Sequence, residues 1–316
     1  MSAETGTRIG MDVTLGSLRI PNPVMNASGT AGYGTEGLPY LEPEALGAFV
    51  TKGISVEPRT GNPPPRIAET PAGMLNAIGL ENVGIAGFVR EHLPVLRERH
   101  VRVIVNFFAE TEEGYVEAAR RLSEVEGIAA LEMNVSCPNV KRGGRAFGRD
   151  PVLLHRLVRS VRNSTPLPLF VKLTPDAVDI VEAAEASWEA GADAVTVCNT
   201  YMGMAVDVEK RRPRLSTGSG GLSGPAIRPL SLYRAWLVAR RSPVPVIAAG
   251  GIVSAQDALE YLIAGACAVQ IGTGSFVNPA LFSEVTDGIR DYLIRHGHAD
   301  LREVIGSLQG MPDRTG

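Results

Sequence analysis

The amino-acid sequence predicts a single domain over residues 1–316, a (β/α)8 TIM barrel with long loops on its C-terminal face. Eight short apolar runs are typical of parallel strands that are covered on both faces. Helical patterns separate most of these runs, and strand–helix alternation repeated eight times favours closure into a barrel. A doubly wound open sheet is the alternative, but no G-x-G-x-x-G follows the first strand, as a dinucleotide-binding sheet would require.

The predicted elements follow one another without an internal repeat or an interdomain linker. Strands are predicted at 22–28, 47–53, 101–107, 128–136, 168–174, 193–199, 244–250 and 267–272. Helices are predicted at 86–98, 112–124, 150–162, 177–190, 226–241 and 254–264. Thr111, Asp150 and Ser254 precede periodic runs and are predicted to be helix N-caps. The barrel core should therefore span about residues 12–295, with 296–316 as a C-terminal extension.

Two intervals, 54–85 and 200–225, are too long for simple connections between elements. Long irregular loops in a compact domain are usually functional or disordered. Loops that follow the strands of a barrel lie on the face that carries active sites. We therefore expect both intervals to be irregular loops that border a site.

The composition argues against nucleic-acid-binding, membrane-spanning and disulfide-rich classes of protein. The 316 residues carry a net charge of −3, which does not suggest a nucleic-acid-binding surface. No apolar run approaches the roughly 18 residues of a membrane span, and the N-terminus lacks the apolar core of a signal peptide, so a soluble cytoplasmic protein is expected. The three cysteines, Cys137, Cys198 and Cys267, are too scattered for a disulfide framework or a metal site.

Polar residues or glycines end the predicted strands and should meet at one rim of the barrel. Polar strand ends are ordinary in loops, but two lysines interrupt apolar residues, Lys52 in VTKGI and Lys172 in FVKLT. A lysine buried there needs an anion, a ligand or a carboxylate to offset its desolvation. The strand-end residues are Ser28, Lys52, Asn106, Asn134 with Cys137, Lys172, Asn199, Gly250 and Gly272.

Cys137 is the candidate for chemistry. It follows an apolar strand and stands at the start of PNVKRGGRAFG, a loop with three cations, Lys141, Arg142 and Arg145. Nearby cations lower the pKa of a thiol from about 8.5 and raise its thiolate fraction, although a solvated loop is the ordinary explanation for such charges.

Glycines follow the last two strands, as Gly250-Gly251 and Gly272-Thr273-Gly274. In barrels this region commonly binds phosphate through backbone N–H groups. A phosphate-bearing ligand across the rim, close to a thiol, is therefore expected.

Several long motifs of the chain resemble those of a known family. TKGISVEPRTGNPPPRIAETPAGMLNAIGLEN, NVSCPNVKRGGRAFG, FVKLTPD, CNTYMG, GGLSGPAIRP and AAGGI resemble the class 1 dihydroorotate dehydrogenases, over about residues 12–295. Within them the chain is most similar to the catalytic subunits of the class 1B, NAD-linked enzymes of pyrimidine synthesis. The resemblance implies an FMN-binding (β/α)8 barrel that oxidises dihydroorotate to orotate, with Cys137 as the catalytic base.

The resemblance also implies binding roles. Residues expected to contact FMN are Ser28, Lys52, Gly53, Asn106, Asn134, Lys172, Cys198, Gly224, Gly250, Gly251, Gly272 and Thr273. Residues expected to contact the substrate are Lys52, Asn76, Ala77, Ile78, Gly79, Leu80, Asn134, Asn199 and Thr200. No metal is expected. The chain departs from the family's usual pattern in VNFFAE at 105–110 and at Tyr201, where an aliphatic residue is usual.

One FMN per chain is implied, whereas FAD and a [2Fe–2S] cluster are expected only in a partner, an iron–sulfur flavoprotein. Catalytic subunits are expected to form a homodimer within a heterotetramer. The alternatives are a class 1A enzyme that uses fumarate, a dihydropyrimidine dehydrogenase, and a non-redox barrel that binds a phosphorylated substrate. A flavin in the purified protein would exclude the last of these.

Overall fold

The computed structural model describes residues 9–36, 46–136 and 147–310. In chain order the strands are β1 (Val13–Leu15), β2 (Leu18–Ile20), β3 (Val24–Asn26), β4 (Phe49–Val50), β5 (Ile67–Thr70), β6 (Gly73–Asn76), β7 (Val103–Phe107), β8 (Ile128–Asn134), β9 (Leu169–Lys172), β10 (Ala194–Val197), β11 (Tyr201–Gly203), β12 (Val206–Asp207), β13 (Arg212–Pro213), β14 (Gly220–Ser223), β15 (Val246–Ala249) and β16 (Ala268–Ile271). The centre of the fold is a parallel eight-stranded sheet with strand order β3-β16-β15-β10-β9-β8-β7-β4.

Helices cover the outside of this sheet. They are α1 (Gly84–Glu91), α2 (Leu93–Glu98), α3 (Glu112–Ser123), α4 (Pro151–Arg162), α5 (Ile180–Glu189), α6 (Arg228–Arg241), α7 (Ala255–Ile263), α8 (Gly274–Val277) and α9 (Leu281–Arg295). Short 3-10 helices occupy Phe147–Arg149, Pro225–Ile227 and Leu301–Glu303. Within the described ranges none of the helices is long and apolar enough to cross a membrane.

The sheet closes into a barrel between its first and last strands. Met25 bridges Ala48 in parallel register, and the Gly47 N–H donates to the Val24 carbonyl at 2.7 Å. The buried Asn26 side chain continues the junction, because its Nδ2 donates to the Val50 carbonyl at 2.7 Å and its Oδ1 accepts from the Val50 N–H at 2.8 Å. The prediction of a (β/α)8 barrel is thus confirmed, and the open sheet is excluded.

All eight predicted strands are present, most of them a residue or two shorter at each end. Their side chains are buried on both faces in nearly every case, as covered parallel strands require. The predicted N-caps are also confirmed, since Thr111, Asp150 and Ser254 each accept a backbone N–H of the helix that follows.

One predicted helix, 86–98, is instead two helices that meet at His92. Pro94 explains the break, because proline has no N–H to donate to the preceding turn. Helices α8 and α9 were not among the predicted elements.

The prediction of irregular loops at 54–85 and 200–225 is wrong in part. Strands β5, β6, β11 and β14 from these intervals form an antiparallel sheet of order β11-β14-β6-β5, named here the outer sheet. Its strands are only three or four residues long, and β6 pairs with β14 across about 145 residues of sequence. No local pattern signals such a pairing.

The segment after α9 packs against the barrel. Leu301 and Val304 are buried in the main core, and Gly10 forms a parallel bridge with Asp300. The two ends of the described chain are therefore tied to each other.

Candidate active site

A cavity of about 530 Å³ lies at the carboxyl ends of the barrel strands, and the outer sheet contributes to its wall through Met74, Asn76, Met202 and Ser223. Barrel enzymes carry their active sites at this end, and the volume is typical of small-molecule sites. The lining includes Ser28, Lys52, Gly53, Asn76, Ala77, Ile78, Gly79, Leu80, Asn106, Asn134, Lys172, Cys198, Asn199, Thr200, Gly224, Gly250, Gly251, Gly272 and Thr273. The fold thus gathers every predicted site residue of the described ranges.

Cys137, the predicted catalytic base, lies outside the described residues, as do Lys141, Arg142 and Arg145. Ser136, the residue before it, lines the cavity. The base role of Cys137 therefore remains a prediction from the sequence.

A buried carboxylate, Glu132 on β8, organises the interior beneath the cavity. Its Oε1 accepts from Asn106 Nδ2 at 2.7 Å, and its Oε2 accepts from Gln270 Nε2 at 2.6 Å and from Thr196 Oγ1 at 2.7 Å. Lys172 Nζ lies 4.0 Å from Glu132 Oε1. Side chains from four other strands, β7, β9, β10 and β16, therefore converge on one carboxylate.

The two predicted lysines have different environments. Lys172 is only 5% exposed and has Glu132 as its counter-charge, which meets the expectation that a buried lysine finds an anion. Lys52 is only partly buried, so the burial argument does not hold for it. The hydrogen bond from Arg66 lowers the pKa of Glu81, and the positive charge of Lys52 adds a smaller lowering.

An amide network connects β8 and β10. Asn134 Oδ1 accepts from the Ser136 N–H at 3.1 Å and from Asn199 Nδ2 at 3.3 Å. Asn199 Nδ2 also donates to Ser136 Oγ at 3.1 Å, and Asn199 Oδ1 accepts from the Thr200 N–H at 2.8 Å. Tyr115 Oη donates to the Asn134 carbonyl at 2.7 Å. These bonds hold two predicted substrate-binding amides in fixed positions on the cavity wall.

The predicted substrate loop, 76–80, is held from behind by Asn62. Its backbone N–H donates to the Ile78 carbonyl at 3.0 Å, and its Nδ2 donates to the Ala77 carbonyl at 3.0 Å. Gly79 and Leu80 both have positive φ, 76° and 58°. A left-handed leucine is unusual, and this conformation belongs to a loop that lines the cavity.

Cys198 sits at the end of β10, and burial raises the pKa of its thiol. The thiol donates to Tyr201 Oη at 3.6 Å, and the Tyr201 ring lies 5.1 Å from the Arg234 guanidinium. Burial also raises the pKa of Tyr201. Tyr201, which stands where an aliphatic residue is usual in the family, therefore packs against the cavity residue Cys198.

Comparison with known proteins shows the family to which this chain belongs. The family described as dihydroorotate dehydrogenase matches residues 11–293. The chain belongs to the dihydroorotate dehydrogenase family.

A protein of Trichlorobacter lovleyi is 54% identical over 95% of this chain and 99% of its own length. Proteins of Pelobacter propionicus and Geotalea uraniireducens are each 51% identical, over 95% and 94% of this chain and 98% of their own lengths. All three are called dihydroorotate dehydrogenase B (NAD(+)), catalytic subunit. The resemblance to the class 1B catalytic subunits is confirmed.

The family implies a flavin, and two observations of this chain fit one. Asn106 Oδ1 and Gln270 Oε1 are buried acceptors without a hydrogen-bond partner among the described residues, and both residues line the cavity. Gly272 also lines it, although a Cβ there would meet only ordinary contacts, at 3.4 Å from Ala27 and 3.5 Å from Thr30. The protein itself does not require glycine at 272, whereas a ligand that approaches the backbone closely would.

Sequence reasoning missed Glu132 and Gln270. Glu132 carried a usable signal, because a charged residue interrupts the apolar run IAALEMN in the same way that Lys172 interrupts LFVK. Gln270 stands in AVQI and is also a polar residue within a buried strand. The general rule that buried charges are paired applies to both signs of charge.

Proposed function

We propose that this chain oxidises dihydroorotate to orotate with bound FMN, as the catalytic subunit of an NAD-linked dihydroorotate dehydrogenase of pyrimidine synthesis. The observation that carries this proposal is one cavity in which a paired lysine, an amide network and glycines after β15 and β16 lie together. Membership of the family and the names of the relatives supply the reaction.

The proposed chemistry removes a proton from C5 of dihydroorotate and a hydride from C6. FMN supplies the hydride acceptor when it is bound. Cys137 thiolate takes the proton as general base. Lys172 stabilises the negative charge that develops at its side of the cavity, and its own charge is balanced by Glu132.

The remaining residues bind and orient. Gly250, Gly251, Gly272 and Thr273 follow neighbouring strands, β15 and β16, where backbone N–H groups can hold the FMN phosphate. Asn76, Asn134 and Asn199 offer amide donors and acceptors to the pyrimidine edges. The other FMN contacts proposed are Ser28, Lys52, Gly53, Asn106, Cys198 and Gly224, and the other substrate contacts are Lys52, Ala77, Ile78, Gly79, Leu80 and Thr200.

A partner subunit with FAD and a [2Fe–2S] cluster is proposed to pass the electrons to NAD. A [2Fe–2S] cluster held by cysteine alone needs four thiolate ligands, and this chain has three cysteines. Cys198 follows the carboxyl end of β10, whereas Cys267 precedes the amino end of β16. Parallel strands point the same way, so these two thiols lie at opposite ends of the barrel and cannot bind one cluster.

The test is made on the purified chain. Denaturation should release FMN at about one per chain, and anaerobic dihydroorotate should bleach the bound flavin. The chain alone should reduce an artificial dye but not NAD, and addition of the partner should restore NAD reduction. Absence of flavin would refute the proposal, and rapid turnover of the isolated chain with fumarate would favour the class 1A alternative.

A further inference from the structure

The proposed chemistry uses Glu132 only to balance the charge of Lys172, although this carboxylate lies in the centre of the barrel and is fully buried. Three donors reach its two oxygens at 2.6–2.7 Å. Two of them, Asn106 and Gln270, belong to the lining of the cavity, and the third, Thr196, is a buried residue that does not.

The carboxylate decides which way two amide side chains face. Carboxylate oxygens accept hydrogen bonds, and an amide can donate only through its NH2 group. Asn106 and Gln270 must therefore turn their NH2 groups toward Glu132. Their carbonyl oxygens are left over, and both lack a hydrogen-bond partner among the described residues.

Gly53 leaves room for one of these oxygens. A Cβ at position 53 would lie 3.0 Å from Asn106 Oδ1 and 3.3 Å from the Phe108 ring. A buried acceptor without a partner destabilises the protein, so this pair of oxygens indicates an occupant of the cavity that carries hydrogen-bond donors. FMN carries such donors in its ring N–H group and in the hydroxyls of its ribityl chain.

We propose that Glu132 is a positioning residue that presets the flavin site by fixing Asn106 and Gln270 with their carbonyl oxygens as acceptors for the cofactor, while it holds Lys172 as a counter-charge. This inference rests on the proposed flavin site and assigns a function to a residue that does not itself contact substrate. The competing explanation is that Glu132 only ties strands together.

The variant Glu132→Gln separates the two explanations. Glutamine has the same size but offers one oxygen and one NH2 group, so it cannot accept from all three donors. At least one of the two amides must then turn or lose its bond.

We expect FMN to bind the apoprotein at least tenfold more weakly, as measured by quenching of flavin fluorescence. The midpoint potential of bound FMN should also rise, because a buried negative charge that opposes electron addition is removed.

Thr196→Val is the matched control. It removes the third donor to Glu132 and preserves the carboxylate, both amides and Lys172. If the inference is correct, this variant loses some thermal stability but keeps the parent's FMN affinity and midpoint potential.

The outcomes are distinct. A Glu132→Gln protein that has a lower melting temperature but the parent's FMN affinity and potential would show a structural role only and overturn the inference. If that variant does not fold, Glu132→Asp decides instead: its shorter side chain keeps the charge but cannot reach both amides, so the inference requires weaker FMN binding. Parent-like binding would overturn it. A parent chain without flavin would refute the proposed function itself, whatever the variants do.

Discussion

At the scale of the residue, the three cysteines differ in what their surroundings permit. Burial raises the pKa of the Cys198 and Cys267 thiols, which disfavours the thiolate that a general base would need. Cys137 follows Ser136 at the cavity lining and belongs to a segment with three cations. The contrast between the surroundings of the three cysteines favours Cys137 as the base.

We expect Cys137→Ser to retain flavin but to slow its reduction by dihydroorotate about 10²–10⁴-fold, the usual contribution of a general base. Serine has a much higher pKa than cysteine, so part of the rate should return at high pH. Stopped-flow measurement of flavin bleaching tests this, with Cys267→Ser as a control for loss of a thiol remote from the cavity. Reduction of Cys137→Ser at the parent rate would assign the proton to another group.

At the scale of the element, the outer sheet depends on two glycines that touch. Gly224 has φ of 95°, and a Cβ there would lie 2.6 Å from Gly73 Cα. A Cβ at Gly73 would lie 1.9 Å from the Ser223 carbonyl oxygen. Because Gly224 also lines the cavity, the contact that joins β6 to the end of β14 also shapes the site.

Gly224→Ala should therefore be far more harmful than Gly218→Ala. Gly218 also has positive φ, 84°, but a Cβ there would have nothing within 4 Å. An alanine held at positive φ costs on the order of 1–3 kcal/mol in either variant. Gly224 has ψ of −173°, a region that is essentially restricted to glycine, and only Gly224→Ala adds a collision with backbone. Urea unfolding should show the larger loss for Gly224→Ala, together with weaker FMN retention. Equal losses in the two variants would mean that the glycine contact is dispensable.

At the scale of the whole molecule, the barrel is held where its ends meet. Asn26 joins β3 to β4 through its side chain, and the Leu301 N–H donates to the Gly10 carbonyl at 2.8 Å. Asp300 stands beside this last junction and caps the 3-10 helix that follows. Hydrogen bonds from the Arg302 side chain and backbone lower the pKa of Asp300 to about 2.

The lowered pKa of Asp300 predicts that the stability of the protein depends on pH. Its folded pKa lies below its ordinary value of 3.8, so its contribution is present above pH 3.8 and is lost as the pH falls toward 2. Asp300→Asn can still cap the helix but has no charge for Arg302. The variant should be less stable than the parent near neutral pH, and the difference in the free energy of unfolding should shrink between pH 4 and 2. A difference that stays constant in urea titrations across that range would contradict the assignment.

The sequence by itself determined the eight strands, most of the helices, three of their N-caps and the strand-end residues that line the cavity. Apolar runs and capping residues are local signals, and parallel strands bring their carboxyl ends to one rim without further information. Only the tertiary structure decided that Asn26 closes the barrel, that β6 pairs with β14, and that Glu132 meets Asn106, Thr196 and Gln270. These contacts join residues that lie 24 to about 145 positions apart, and their geometry depends on barrel closure and on packing, which no local pattern of residues specifies.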